Sequence, residues 1–109
     1  MYEVTGNKRV VMGEEISTYQ RKITNCNILE VEAGTSGYRS GDSGHGGRTY
    51  FRISDLGGTD INARAKTDRW GISGSIEVEL GGDAELDNII QALQFIVKVL
   101  DEERRETRG

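Results

Sequence analysis

The chain has 109 residues and a formal net charge of −4, from 14 lysine and arginine residues against 18 aspartate and glutamate residues. This length predicts a single domain, residues 1–109, and the negative charge argues against general binding to long nucleic acid or to anionic membranes. The chain has no run of about 18 apolar residues and only one cysteine, Cys26, so we expect a cytoplasmic protein without a membrane span or an internal disulfide.

The N-terminal third predicts strands. Residues Tyr2–Met12 are typical of a hairpin, with Gly6 and Asn7 as a two-residue turn between Tyr2–Thr5 and Arg9–Met12. Residues 14–25 predict one extended strand. In residues 26–33, every second position from Leu29 is apolar and alternates with Ile28, Glu30 and Glu32, which indicates a strand. Its buried positions are Leu29, Val31 and Ala33, and we expect Glu30 and Glu32 to lie on its solvated face.

The stretch from Gly34 to Arg48, GTSGYRSGDSGHGGR, differs in composition from an ordinary turn. It contains six glycines, two arginines, one tyrosine and the only histidine of the chain. Glycine allows backbone N–H groups to converge on one point, and arginine pairs well with phosphate. Between Gly34 and Trp70, six basic side chains outnumber four acidic ones. These features predict a loop that binds a small anion, most simply a nucleotide.

The segment after this loop predicts more strands. Residues 48–54 alternate again, so the loop is expected to join two strands of a long hairpin. A turn at residues 56–59 precedes a short strand, Asp60–Lys66, with Ile61, Ala63 and Ala65 facing inward. Residues 70–80 predict either a strand pair or one bent strand, with Gly71 and Gly74 at the bend.

The C-terminal quarter predicts a helix from Ala84 to Arg105, with Asp83 as the N-cap. One buried stripe is expected at Leu86, Ile90, Leu93, Val97 and Leu100. Further apolar residues, Ala92, Phe95, Ile96 and Val99, widen the apolar arc to roughly 220°. Either another subunit covers this excess or the sheet curls round the helix, and we favour self-association. The predicted fold is therefore α+β: an antiparallel sheet of about five or six strands, then one long helix, in a homo-oligomer.

The spacing of the reactive residues supports neither a catalytic site nor a metal site. Residues 41–44, GDSG, match the nucleophile motif of chymotrypsin-like proteases, but the chain is too short and its histidine follows the serine. A dyad of Cys26 and His45 lacks an orienting group. A metal site would combine His45 with Asp42, Asp55 or Asp60, at no recognisable spacing. No P-loop lysine follows the glycines. We expect no enzyme activity, catalytic residue, metal or cofactor.

Ligand recognition remains as the expected chemistry. The loop offers backbone donors, an imidazole and guanidinium groups, and aromatic side chains nearby suit stacking on a base. The candidate ligand-binding residues are Tyr38, Arg39, Gly44, His45, Gly46, Gly47, Arg48, Asn62, Arg64, Arg69 and Trp70. A plain alternative is a glycine-rich hairpin loop with solvated arginines, in which Phe51 and Trp70 belong to the core.

Three sequence runs, ILEVEAGTSGY, GDSGHGGRTYFRI and GGTDI, precede the sheet end and the long helix. In this combination the chain resembles the first family of anti-Thoeris proteins, small phage proteins that act as sponges for bacterial immune signals. The resemblance implies an oligomer of β-plus-helix subunits, a hexamer in its fuller form, in the host bacterial cytosol. It also implies binding without cleavage of cyclic ADP-ribose isomers made by TIR enzymes. Some members also bind cyclic di- or trinucleotides from cGAS-like enzymes at separate sites.

Two other functions stay open. One is a phage structural or protein-interaction component that acts through an exposed apolar helix face. The other is a nucleotide phosphodiesterase that uses His45.

Overall fold

A computed structural model describes residues 3–24, 28–37, 47–57, 61–67 and 74–106. Within these ranges the chain forms β1 (Thr5–Val11), β2 (Glu14–Thr24), β3 (Ile28–Thr35), β4 (Thr49–Gly57), β5 (Ile61–Thr67), β6 (Gly74–Leu80) and α1 (Asp83–Glu106). Strands β1 to β4 form one antiparallel sheet in that order, and β5 pairs with β6 in a second. The predicted α+β fold is confirmed, with its strands divided between two sheets.

The predicted turn at Gly6 and Asn7 is wrong. Strand β1 runs through both residues, and Asn7 pairs with Thr18 of β2. The chain reverses at Met12 and Gly13, whose φ angles are 49° and 85°. Two consecutive positive φ values are what a two-residue primed turn requires. A reversal at this point lets every residue of β1 pair with β2, whereas a turn at Gly6 would have left a much shorter hairpin.

Strand β3 lies in the middle of the sheet, and α1 covers one face of it. The predicted alternation of this strand is confirmed at its apolar positions, because Leu29, Val31 and Ala33 are fully buried against the helix. The core cluster consists of Ile23, Leu29, Val31, Ala33, Ala92, Phe95, Ile96 and Val99. The predicted long hairpin is also confirmed: β3 and β4 pair antiparallel, with Thr35 opposite Thr49 at the open end.

The β5–β6 hairpin has one apolar face and one charged face. Ala63 pairs with Val78 and Ala65 pairs with Ile76, so these side chains share a face. The inward orientation predicted for Ala63 and Ala65 is wrong, because both are exposed. A two-stranded ribbon cannot bury its own face, and α1 covers the other sheet. Gly74 opens β6; the segment 68–73, with the predicted bend at Gly71, lies outside the described residues.

Helix α1 starts one residue earlier than predicted. The backbone N–H of Leu86 donates to the carbonyl oxygen of Gly82 at 3.2 Å, so Gly82 is the N-cap and Asp83 is the first helical residue. Gly82 has φ 121°, and a Cβ there would lie 2.1 Å from the carboxylate of Glu85. The Glu85 carboxylate can move away from such a Cβ, so it is the positive φ that favours glycine at position 82. The acidic side chains of Asp83 and Glu85 complement the helix dipole.

The predicted buried stripe of α1 is wrong for four of its five residues. Leu86, Ile90, Leu93 and Val97 are 56%, 44%, 49% and 66% exposed. The sheet instead covers the second group of apolar residues, those that widen the apolar arc of the helix: Ala92, Phe95, Ile96 and Val99. Both stripes satisfy helical periodicity, and the bulky Phe95 together with the small Ala92 fits against the flat apolar surface of β3. The wide apolar arc inferred from the sequence is a real feature of the helix.

Asn88 is a buried polar residue on the sheet side of α1. Its side chain is 0% exposed, and neither its amide nitrogen nor its amide oxygen has a hydrogen-bond partner among the described residues. We expect Asn88→Ala to raise the free energy of unfolding by about 1 kcal/mol, because it removes two unpaired polar groups and improves helix propensity. Urea unfolding followed by circular dichroism measures the change.

The exposed Gln94 provides the control for this change. Gln94→Ala gives only the small gain in propensity, a few tenths of 1 kcal/mol. A loss of stability in Asn88→Ala would show that the asparagine side chain has a partner or fills its space too well to be replaced.

No helix in the described part of the chain combines the length and apolarity that a bilayer span requires.

Candidate functional site

The glycine-rich loop leaves the sheet through a narrow neck, formed by residues 35–37 and 47–49. The N–H of Ser36 donates to the carbonyl oxygen of Arg48 at 2.9 Å, and the N–H of Arg48 donates to Oγ of Ser36 at 2.9 Å. Thr35 Oγ1 lies 3.0 Å from the same carbonyl oxygen and accepts from the N–H of Gly37 at 3.1 Å. The two ends of the loop are therefore fixed to each other by side chains as well as by backbone.

Glycine is required inside this neck. A Cβ at Gly47 would lie 1.9 Å from the carbonyl oxygen of Gly37, which is far below any contact distance. Gly37 itself has φ 83°, in the left-handed region that favours glycine. Gly47 was predicted as a ligand-binding residue, and the structure shows a second reason for glycine at this position: the two backbones touch.

A cavity of about 270 Å³ opens beside the neck, on the helix side of the sheet. The sheet contributes the threonines, the loop contributes its glycine backbone, and α1 contributes an apolar and a basic side chain. The lining residues are Thr35, Gly37, Gly47, Thr49, Leu100 and Arg104. Thr35 Oγ1 and Thr49 Oγ1 are 2.9 Å apart, and Nη2 of Arg104 is 2.6 Å from Oδ1 of Asp101. Arg104 is the charged residue of this lining, and a guanidinium suits an anionic group.

Arg48 contributes its backbone to the neck, while its side chain points to the other side of the sheet. Its Nε donates to the carbonyl oxygen of Met12 at 3.2 Å, which links β4 to the β1–β2 turn. Arg104 is the basic residue that lines the neck cavity, and sequence reasoning did not identify it. Arg104 is far from the loop in the sequence, and the packing of α1 on the sheet brings it to the neck cavity.

Asn62 and Arg64, two further candidate residues, lie on β5 and not at the neck. Both are exposed on the charged face of the hairpin, and Nη2 of Arg64 is 2.6 Å from Oε1 of Glu79. Arg64 also lines a second cavity of about 340 Å³, between β4 and the β5–β6 hairpin. This groove is mostly apolar, with Phe51, Ile53, Ile76 and Val78 among its walls. Phe51 is 46% exposed, so the core position considered for it is wrong.

The remaining candidate residues, Tyr38, Arg39, Gly44, His45, Gly46, Arg69 and Trp70, lie outside the described residues, as does Cys26. In the ranges that are described, no group of three or more histidine, cysteine, aspartate or glutamate residues is arranged to hold a metal ion.

Glu32 forms an ionic cluster on the face of the sheet opposite α1. The solvated position expected for it is wrong, because its side chain is 0% exposed. Arg9 binds both carboxylate oxygens, with Nε 2.8 Å from Oε2 and Nη2 2.7 Å from Oε1. Thr18 Oγ1 donates to Oε2 at 2.6 Å, and Gln20 and Arg52 donate to Oε1 at 3.2 and 2.9 Å. The carboxylate of Glu32 on β3 therefore accepts hydrogen bonds from side chains on the other three strands of the sheet.

The cluster holds Glu32 in its ionised form. The hydrogen bonds from Arg9 are the main cause that lowers the pKa of Glu32 to about 2, against a usual value of 4.5; donation from Thr18 and Arg52 adds to the effect, and burial opposes it. The guanidinium carbon of Arg9 also lies 5.2 Å from the ring centre of Tyr50 on β4. A carboxylate that its donors keep ionised far below neutral pH is unsuited to proton transfer at neutral pH.

Strands β1 and β4 each carry one arginine of this cluster, Arg9 and Arg52, and the register places Arg52 directly opposite Glu32. Only the register shows that these charges face one another. Comparisons of the chain with protein-family models, with curated proteins and with solved structures found no match, so the site is interpreted from its own geometry.

Proposed function

We propose that this protein binds a small nucleotide signal at the neck of its glycine-rich loop and sequesters it without cleaving it. The ligands we propose are cyclic ADP-ribose isomers from bacterial TIR enzymes, with cyclic di- and trinucleotides as further candidates. The protein would then act as a phage anti-defence sponge in the host bacterial cytosol. The supporting observation is the neck, where two glycines, two threonines and Arg104 line one cavity.

The geometry of the neck favours tight binding over chemistry. Hydrogen bonds already fix the two ends of the loop, so little conformational entropy remains to be lost there when a ligand is bound. Arg104 brings a guanidinium, which pairs with phosphate through parallel hydrogen bonds. A bound phosphate would compete with Asp101 for this guanidinium, since the two are 2.6 Å apart. The locally basic segment from Gly34 to Trp70 adds attraction for an anion.

Isothermal titration calorimetry with cyclic ADP-ribose isomers and with cyclic trinucleotides tests this proposal. We expect saturable binding of at least one of them and recovery of the intact ligand after the protein is denatured. The absence of binding heat with every ligand would refute the sponge function. Recovery of a linearised ligand would instead identify a phosphodiesterase.

Gly47→Ala should weaken binding of the ligand found in this way by at least about tenfold. The new methyl group would lie 1.9 Å from the carbonyl oxygen of Gly37, so the neck has to open and its hydrogen bonds have to shift. The same titrations measure the dissociation constant.

Gly6→Ala is the matched control, since a Cβ at that position meets no atom within 4 Å. It should bind with an unchanged constant. If Gly47→Ala remains folded by circular dichroism and also binds normally, the neck is not the ligand site.

A further inference from the structure

Two adjacent acidic residues near the end of α1, Asp101 and Glu102, contact different basic side chains. Oδ1 of Asp101 lies 2.6 Å from Nη2 of Arg104, and Oε2 of Glu102 lies 3.1 Å from Nζ of Lys98. Arg104 lines the neck cavity, whereas Asp101 is not part of the lining. Asp101 therefore places a negative charge beside the cation of the cavity without forming its wall.

The contact between Asp101 and Arg104 uses a nitrogen that a phosphate would also need. An arginine binds an oxyanion through one of two edges of its guanidinium, Nε with Nη2 or Nη1 with Nη2. Nη2 belongs to both edges, and Arg9 uses the first of them to bind Glu32. A phosphate at either edge of Arg104 therefore meets Asp101, as a competitor at one edge and as a neighbouring like charge at the other.

The pair of Asp101 and Arg104 can open at little cost. The side chains of Asp101 and Arg104 are 39% and 49% exposed, and an exposed ion pair of two residues three apart on a helix contributes little to stability. The Glu32 cluster differs, because its carboxylate is 0% exposed and removal of a partner would leave a buried charge. Arg104 can thus exchange Asp101 for a ligand while the fold is unchanged.

From this geometry we propose that Asp101 sets the affinity of the neck cavity for ligands that carry phosphate. Asp101 holds the guanidinium of Arg104 until a phosphate takes its place, and its charge keeps the affinity below the value that the cavity would otherwise have. The inference rests on the proposed function for the location of the site. It applies to phosphate groups in general and does not depend on the cyclic nucleotides named there.

Asp101→Asn should bind inorganic pyrophosphate about fivefold more tightly than the wild type in isothermal titration calorimetry at low ionic strength. Asparagine has the size of aspartate and still accepts a hydrogen bond, so the charge is the main change. The gain should shrink as the salt concentration rises from about 0.01 M to about 0.15 M, because salt screens the repulsion. A gain that came from altered packing would not depend on salt in this way.

Glu102→Gln is the matched control, since it removes the same charge from the neighbouring residue that contacts Lys98. It should change the dissociation constant for pyrophosphate by less than about twofold. In an Arg104→Gln background the gain from Asp101→Asn should also fall below about twofold, because the side chain through which Asp101 acts is gone. Circular dichroism checks that each variant is folded.

Three results would overturn the proposal: equal or weaker binding of pyrophosphate by Asp101→Asn, an equal gain from Glu102→Gln, or no binding of pyrophosphate by the wild type and by Asp101→Asn. The expected pattern with pyrophosphate, together with no binding of any cyclic nucleotide, would support the role of Asp101 and refute the sponge function alone. The two proposals can therefore fail separately.

Discussion

Glu32→Gln should lower the free energy of unfolding by about 3 kcal/mol, the low end of what breaking a buried ion pair costs. The low end applies because the side chains of Arg9 and Arg52 are 36% and 28% exposed and remain partly hydrated. An amide has the shape of the carboxylate, but it turns N–H donors toward groups that are themselves donors. Arg9 then loses its counter-charge, and Arg52 keeps only its ion pair with Glu30. Urea unfolding at pH 7 measures the difference.

Glu30→Gln is the control for this change. Glu30 has 22% side-chain exposure and, among the described residues, an ion pair with Arg52 at 2.9 Å. Arg52 keeps its bond to Glu32 when Glu30 is neutral, so the loss should stay at or below about 1 kcal/mol. Equal losses of unfolding free energy in the two variants would show that Glu32 contributes no more to stability than Glu30 does.

The same cluster predicts acid sensitivity. The pKa of Glu32 is about 2 in the folded protein against a usual value of 4.5, so the folded state favours the ionised carboxylate. Its contribution to stability is complete above pH 4.5 and is lost as the pH falls toward 2. The gap in stability between wild type and Glu32→Gln should therefore close across this window. A gap that stays constant down to pH 2 would contradict the lowered pKa.

Phe95→Ala should destabilise the protein by about 4 kcal/mol, because it removes the largest side chain from the contact between α1 and β3 and leaves a cavity. Phe95 is 3% exposed and belongs to the core cluster. Thermal and urea unfolding measure the loss. This change tests which stripe of the helix faces the sheet, the point on which the sequence alone was misleading.

Leu93→Ala provides the comparison, since it removes a residue of similar hydrophobicity from the opposite stripe. At concentrations low enough to keep the protein monomeric, it should cost less than about 1 kcal/mol, because Leu93 is already 49% exposed. If Leu93→Ala destabilised the monomer as much as Phe95→Ala, the helix would have to be rotated on the sheet.

The sites of these predictions differ in how far the sequence could anticipate them. The glycine-rich loop and the hairpin that carries it follow from composition and alternation, and the structure confirms the hairpin. The neck does not follow, because its hydrogen bonds join Thr35 and Ser36 to Arg48 across the loop. In the sequence, only the two threonines that flank the loop indicated the neck. Arg104 reaches the cavity through the packing of a distant helix, which no local pattern records.

The sequence by itself determined the kind of elements and their order, sheet strands followed by one long helix. Alternation at β3 and the helical period of α1 are local properties, set by backbone geometry within a few residues. The tertiary structure decided which faces are covered. Both stripes of α1 are apolar, and only contact with β3 selects the one with Phe95; Glu32 looks like any outward acid until the register places Arg52 opposite it. Burial depends on residues distant in the chain, so packing and register decide it.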